Sequence, residues 1–161
     1  MALTQDIVAT YRGPQRIFAR FLSQGRNEVR GLLFVLIAGI LMFIAATPYQ
    51  AREAALDPEI PLLARIYWSA FFAIFIVPIM VYLFAALIWV LARLGRRRVT
   101  GYQIRFSLIW SLLASTPVLL LLGLTAGFVG PGVQVQLLSL VWLVVFVWFW
   151  ISGLTTAEET A

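Results

Sequence analysis

The stretch "IYWSAFFAIFIVPIMVYLFAALIWVLA" at residues 66–92 decides the fold, because it contains no charged side chain from end to end. About 20 helical residues are enough to cross the roughly 30 Å hydrocarbon core of a bilayer. The stretch therefore predicts a transmembrane helix that is long enough to tilt or to extend beyond the membrane. The composition agrees, since 62% of the 161 residues are hydrophobic and only 12% are charged. A soluble domain is usually about one quarter charged.

Three further apolar runs have the same character: "GLLFVLIAGILMFIAAT", "FSLIWSLLASTPVLLLLGLTAGFV" and "VQVQLLSLVWLVVFVWFWISGL". Together the four runs predict an all-α integral membrane protein, built as a four-helix transmembrane bundle. The expected spans are about 31–47, 66–92, 106–129 and 133–154, which places a transmembrane domain at 31–154. We expect residues 48–65 to form a partly helical surface loop, and residues 155–161 to form a short, loose tail.

Residues 1–30 are polar and basic, and within them "GPQRIFARFLSQG" at 13–25 predicts a short amphipathic helix. Pro14 suits the first turn of a helix and Gly25 suits its end. Ile17 and Phe18 belong to its apolar face. Such a helix either lies in the headgroup region of an anionic leaflet or packs on the protein's own spans, and the sequence leaves both alternatives open.

The arginines predict the orientation of the chain. All twelve basic residues are arginine; five lie in residues 1–30 and five in "RLGRRRVTGYQIR" at 93–105. Arginines close to span ends are retained on the cytoplasmic side during insertion. With four spans these two segments lie on the same side, which is an internal check on the count. We therefore expect a multi-pass protein of the bacterial inner membrane, with both termini cytoplasmic.

The arginines next to the spans have a topological role and, as a companion role, contact with anionic lipid headgroups. The residues assigned to this role are Arg16, Arg20, Arg93, Arg96, Arg97, Arg98 and Arg105. The alternatives for a protein partner are another membrane protein and a second copy of this chain. Nucleic acid is not expected as a partner, because no binding module or stacking platform accompanies the cluster.

The sequence offers little for catalysis, so we expect no enzyme, no catalytic residue, no metal and no cofactor. Histidine, cysteine and lysine are absent, and the four predicted spans contain no ionisable acid or base. Charged residues inside spans usually mark ion paths or proton relays. The acidic residues of the 48–65 loop are Glu53, Asp57 and Glu59, and beside Arg52 and Arg65 they are expected to form solvated ion pairs.

Two prolines interrupt predicted spans. Pro78 and Pro117 each lie near a span centre, where proline frees a carbonyl and kinks the helix. Ser115 and Thr116 are placed to satisfy the freed group locally. Such kinks either frame a cavity or serve static packing. Further along, "GLTAG" brings Gly123 and Gly127 to the spacing that lets helices approach closely, which predicts helix packing within the bundle.

Several of these stretches together resemble a known family. "GPQRIFARFL" before the first span, "LDPEIPLLAR", the arginine-rich loop and "STP" within a span are similar to the bacterial branch of the Yip family (Ypt/Rab-interacting-protein-like membrane domain). The resemblance covers roughly residues 13–153 and implies a helical membrane bundle without established catalytic residues. Eukaryotic relatives act in vesicle traffic and contact small GTPases. They carry a longer hydrophilic N-terminal region and usually one more span, so neither GTPase binding nor any site residue transfers to this chain.

The function expected from the sequence is that of a small non-enzymatic membrane protein acting by association, as a scaffold or modulator of a membrane complex or of the surrounding lipid. One alternative is a permease or channel-like carrier for a small neutral or lipid substrate, with its cavity at Pro78 and Pro117. Another is a structural accessory subunit of a larger membrane enzyme.

Overall fold

The regular elements of the protein are all helices in the part of the chain that the computed structural model describes, residues 3–95 and 99–159. In chain order they are α1 (Leu3–Arg12), α2 (Pro14–Ser23), α3 (Glu28–Leu56), α4 (Leu62–Phe71), a π-helical turn (Phe72–Ile76), α5 (Val77–Leu94), α6 (Gly101–Ala114), α7 (Thr116–Phe128) and α8 (Val133–Glu159). Arg96, Arg97 and Arg98 lie outside the described residues.

Three helical segments are long and apolar enough to cross a membrane: Glu28–Leu56, Leu62–Leu94 and Val133–Glu159. The pair formed by α6 and α7 makes a fourth when it is counted as one span bent by 44°. Bulky apolar side chains cover the outside of these helices, and Phe75, Leu83 and Val144 are each more than half exposed. Exposure on this scale is unfavourable in water but favourable against lipid chains. The chain is thus a helical protein embedded in a membrane.

The first long helix extends well beyond the predicted span 31–47, because Pro48 lies inside α3 instead of ending it. The ring of Pro48 packs against α7 at Gly127. A buried neighbour of this kind is one way in which a membrane helix tolerates proline. The predicted loop 48–65 is therefore mostly helical, and the link between α3 and α4 is only the short turn that follows Asp57.

Pro78 lies one residue inside α5, directly after the π-helical turn. Proline has no N–H group, so it cannot continue the hydrogen-bond ladder of the preceding turn. The ladder widens there, with the N–H of Val77 bonded to the carbonyl of Phe72. The Ala73 carbonyl oxygen lies 2.5 Å from the position that a Cβ on Gly39 would take. The widened turn thus fits against α3 only because residue 39 has no side chain.

Pro117 marks the break between α6 and α7, and the two hydroxyl residues before it satisfy the carbonyls at the bend. The Thr116 hydroxyl donates to the Leu113 carbonyl at 2.7 Å, and this is the group that the missing N–H of Pro117 leaves without its helical partner. The Ser115 hydroxyl donates to the Leu112 carbonyl at 2.9 Å. Thr116 therefore has the local role that the sequence predicts, whereas Ser115 bonds the neighbouring carbonyl of Leu112 instead of the freed one.

Helix α6 lies at the centre of the molecule. Every residue from Phe106 to Thr116 is buried, and α3, α5, α8 and the N-terminal helices pack around it. Helix α7 leans instead against α3, where a Cβ on Gly123 would stand 1.8 Å from the Ala45 carbonyl oxygen. The structure therefore places both Gly123 and Gly127 at the contact of α7 with α3, inside the molecule.

The end of the chain differs from the predicted loose tail at 155–161. Helix α8 continues to Glu159, and Thr156 and Ala157 are buried. The side-chain amide of Gln103 donates to the Ala157 carbonyl at 3.4 Å, which ties this last turn to the beginning of α6. The prediction is wrong for residues through Glu159, because contacts with α6 hold a segment that is polar in sequence.

Candidate functional site

One end of the molecule collects most of its arginines, and we call it the arginine-rich end. It comprises helices α1 and α2, the beginnings of α3 and α6 and the ends of α5 and α8. Its described arginines are Arg12, Arg16, Arg20, Arg26, Arg30, Arg93 and Arg105. Of the described arginines, only Arg52 and Arg65 lie at the opposite end. The described parts of the two segments that are rich in arginine thus lie at the same end.

Helices α1 and α2, which we call the N-terminal hairpin, are packed on the protein's own helices. The face of α2 formed by Ile17, Phe18 and Phe21 is buried, and the Phe18 ring lies within 3 Å of the position that a Cβ on Gly153 would take. Of the two alternatives for this face, packing on the protein is the one found. The buried apolar area supplies the favourable energy that holds the hairpin in place.

Polar contacts fix the hairpin in one position. Asp6 is buried and forms an ion pair with Arg20 at 2.7 Å, which joins α1 to α2. The Trp110 indole nitrogen donates to the Thr10 hydroxyl at 3.2 Å, and both side chains are fully buried. Burial raises the pKa of the Tyr11 phenol above its ordinary value, because the charged form would lose its hydration. Helix α1 and these partners were not predicted from the sequence.

A groove of about 400 Å³ opens between α5, α6 and the beginning of α3. Its lining residues are Arg26, Trp89, Thr100, Gly101, Tyr102 and Arg105, and we call it the Trp89 groove. Arg26 and Arg105 both bind Glu28 Oε1, at 2.9 and 2.6 Å. The Arg93 guanidinium lies over the Trp89 ring, 5.3 Å from its centre. Two guanidinium groups therefore share one carboxylate oxygen, and a third lies over the aromatic ring of the groove.

The beginning of α6 forms one wall of the Trp89 groove. The Thr100 side chain accepts a hydrogen bond from the Gln103 backbone, and the Gln103 side chain accepts one from the Thr100 backbone. This capping box fixes the first turn of the helix. Two donors of lining residues, the Tyr102 hydroxyl and Arg105 Nε, are buried without a hydrogen-bond partner among the described residues.

A second groove, of about 530 Å³, lies between the N-terminal hairpin and α3. Arg30 reaches across it and donates to the Phe21 carbonyl at 3.2 Å and to Gln24 Oε1. The guanidinium of Arg30 also lies over the Phe21 and Phe106 rings, at 5.2 and 5.4 Å. Arg30 therefore connects the hairpin to the bundle, and its contacts are structural in character.

A third groove, of about 980 Å³, runs between the hairpin and α8. Arg12 and Arg16 lie on one side of it, and Trp148 lies on the other. Both arginines are exposed, so this groove combines positive charge with an aromatic wall at the arginine-rich end. None of the grooves described here is lined by Pro78 or Pro117.

The opposite end uses its two arginines to hold turns. Arg65 pairs with Asp57 at 2.8 Å and also donates to the Ile60 carbonyl at 3.3 Å. The Arg52 guanidinium approaches Gly130, whose φ of +91° favours glycine, and donates to the Gly127 carbonyl at 3.5 Å. A cation at this place complements the negative end of α7.

Among residues 3–95 and 99–159, no acidic cluster is arranged to hold a metal ion.

Three buried serines in and just after α6 pack against other helices, and this role was not predicted from the sequence. Ser107, Ser111 and Ser115 recur at every fourth residue and are fully buried. Ser111 donates to the Ser107 carbonyl at 2.7 Å, so its hydroxyl is satisfied within the helix. Small side chains at this spacing allow close helix packing, and the Ser107 Cβ lies 2.9 Å from the Cβ position at Gly153. The spacing in "SLIWSLLAS" is the signal that indicates this face.

The fold and the grooves define a helical membrane protein whose described arginines are concentrated at one end. Comparisons of the chain with protein-family models, with curated proteins and with solved structures give no match.

Proposed function

We propose that this protein is a four-helix transmembrane bundle of the bacterial inner membrane, and that it resembles the Yip family. In this proposal it is not an enzyme. It acts by association, as a scaffold or modulator of a membrane complex or of the surrounding lipid. In this proposal the arginine-rich end, with both termini, faces the cytoplasm. The N-terminal hairpin lies at the membrane interface and covers the inner half of α6. The Yip-like assignment rests on the four sequence stretches quoted above.

The observation that carries the proposal is the concentration of arginines, and of the grooves that they line, at one end of the molecule. Arginines next to spans are retained in the cytoplasm, and the cytoplasmic leaflet is anionic. Each arginine close to such a surface contributes about 1 kcal/mol of attraction. The exposed side chains of Arg16 and Arg93 suit lipid contact, whereas Arg20 and Arg105 also hold Asp6 and Glu28. From the sequence, Arg96, Arg97 and Arg98 are proposed to add to this surface.

The partners proposed are anionic lipids first, and then another membrane protein or a second copy of the chain. The carrier alternative places its pathway at Pro78 and Pro117, where the described contacts are tight packing and hydroxyl–carbonyl hydrogen bonds. These contacts favour a static role for the two bends. The accessory-subunit alternative differs from the main proposal only in the identity of the partner.

Native mass spectrometry of the protein, extracted together with its surrounding lipid, tests the proposal. We expect anionic phospholipid or a second protein to be retained at fixed stoichiometry. The triple variant R96Q/R97Q/R98Q should retain less of it and remain folded. A particle that retains neither lipid nor protein would contradict association. Flux of a neutral solute that is lost in Pro78→Ala/Pro117→Ala would favour the carrier.

Reporter fusions test the orientation separately. A reporter fused after Ala161 and one inserted after Glu59 should lie on opposite sides of the membrane, the first in the cytoplasm. A periplasmic signal after Ala161 means an odd number of spans and contradicts the four-span arrangement.

A further inference from the structure

We propose that the Trp89 groove binds the phosphate group of an anionic phospholipid. This inference rests on the proposed association with lipid and assigns it to a specific site.

The charge of the groove is positive. Arg26 and Arg105 share one oxygen of Glu28, and Arg93 lies over the ring of Trp89, which lines the same groove. The Arg26 side chain is 71% exposed, so most of its guanidinium remains available to a ligand that approaches from outside. Guanidinium groups bind phosphate oxygens through paired, charge-assisted hydrogen bonds, which suits this arrangement to a phosphate.

Gly101 leaves a small space at which nitrogen atoms converge. The position that a Cβ on Gly101 would take is 3.6 Å from the Trp89 indole nitrogen and 3.6 Å from Arg105 Nη1. Both nitrogens carry hydrogens and neither can accept a hydrogen bond. An oxygen of a bound phosphate placed near this point would have two donors within reach. A methyl group at residue 101 would occupy the space at ordinary contact distance, without forcing the backbone to move.

Two lining residues have donors that remain unused. The Tyr102 side chain is more than nine-tenths buried, and its hydroxyl has no hydrogen-bond partner among the described residues. The same holds for the buried Nε of Arg105. Each buried donor without a partner costs about 1–3 kcal/mol, so an acceptor that reached either atom would be favoured.

The position of the groove selects a lipid as the source of the phosphate. The groove lies at the arginine-rich end, and the neighbouring surface of α5 is apolar, with Leu91 and Leu94 more than half exposed. Tryptophan favours the membrane interface, where an indole meets both headgroups and acyl chains. A phospholipid therefore places its phosphate among the arginines and its chains along α5, whereas free phosphate satisfies only the first part.

The test measures binding of phosphatidylglycerol and of phosphatidylcholine to the detergent-solubilised full chain by native mass spectrometry. We expect wild type to prefer phosphatidylglycerol, and Arg26→Gln and Gly101→Ala each to weaken its binding about tenfold, since each removes or blocks about one charge-assisted hydrogen bond. The matched controls are Arg65→Gln, which removes a charge at the opposite end of the molecule, and Gly31→Ala, where a Cβ meets only Ile109 Cδ1 at 3.9 Å. Both controls should bind as wild type does.

The outcomes separate this inference from the proposed function. Wild type that binds neither lipid contradicts lipid association altogether. Wild type that binds phosphatidylglycerol, with Arg26→Gln and Gly101→Ala no weaker than their controls, overturns the assignment to the groove and leaves association standing. Full displacement of the lipid by inorganic phosphate would show that the groove takes the phosphate alone, and would overturn the lipid as its ligand. Unchanged thermal unfolding of both groove variants confirms that lost binding is not lost folding.

Discussion

The substitution Gly123→Ala tests the contact of α7 with α3, because two effects of opposite sign compete there. Alanine is a better helix former than glycine by up to about 1 kcal/mol. The new Cβ, however, would lie 1.8 Å from the Ala45 carbonyl oxygen, where ordinary contacts begin near 3.4 Å. This atom belongs to the backbone and cannot rotate away, so α7 must move from α3 by roughly 1.5 Å. Overpacking of this kind costs about 1–3 kcal/mol, and occasionally more.

We therefore expect Gly123→Ala to lower the free energy of unfolding by about 2 kcal/mol, since the steric cost at its upper range exceeds the gain in helix propensity. The assay is reversible unfolding in mixed micelles, followed by circular dichroism. Gly31→Ala is the matched control, because it makes the same change in α3 with space around it, and it should be neutral or stabilising. If Gly123→Ala proves as stable as Gly31→Ala, the close packing of α7 on α3 is refuted.

Three further substitutions test other contacts. Thr116→Val should destabilise the protein by about 1–3 kcal/mol, because the buried Leu113 carbonyl loses its donor. Thr125→Val is the control, since the hydroxyl of Thr125 is exposed, and it should change the free energy of unfolding little in the same assay. Tyr11→Phe should be neutral or stabilising, since it removes a buried hydroxyl without a partner among the described residues. It should also remove the loss of stability that wild type shows at high pH, as the pH rises through the raised pKa of Tyr11. Phe18→Ala should weaken the free energy of hairpin docking by about 3–5 kcal/mol, because it removes a fully buried ring. Hydrogen exchange in residues 3–23 should then become faster, and unchanged exchange would contradict the docked hairpin.

The helical, membrane-embedded class of the protein follows from the sequence because the apolar runs are longer than any soluble helix needs. The bend at Pro117 and the hydroxyl of Thr116 were also predictable, since their chemistry is local. The end of the first helix was misplaced, because proline ends a helix in water more reliably than in a membrane, and Pro48 packs against Gly127.

The central position of α6 could not be predicted from its sequence. Apolar side chains lie on all sides of every span, so hydrophobic periodicity does not indicate which face is buried. The N-terminal hairpin was missed for a related reason, because its partners are distant in sequence. Neither Trp110 as the donor to Thr10 nor Gly153 as the contact of Phe18 leaves a local signal. The Trp89 groove likewise combines side chains from three separate segments.

The docking of the N-terminal hairpin has a consequence for the order in which the protein is made. The hairpin leaves the ribosome before its partners, because Trp110 follows Thr10 by 100 residues and Gly153 belongs to α8. At about 5–20 residues per second, many seconds pass before both partners exist. Until then the ring of Phe18 lacks its contact with Gly153. A chain that stalls before α8 therefore has an uncovered apolar face on its hairpin, and a docked hairpin marks a chain in which α8 has been inserted.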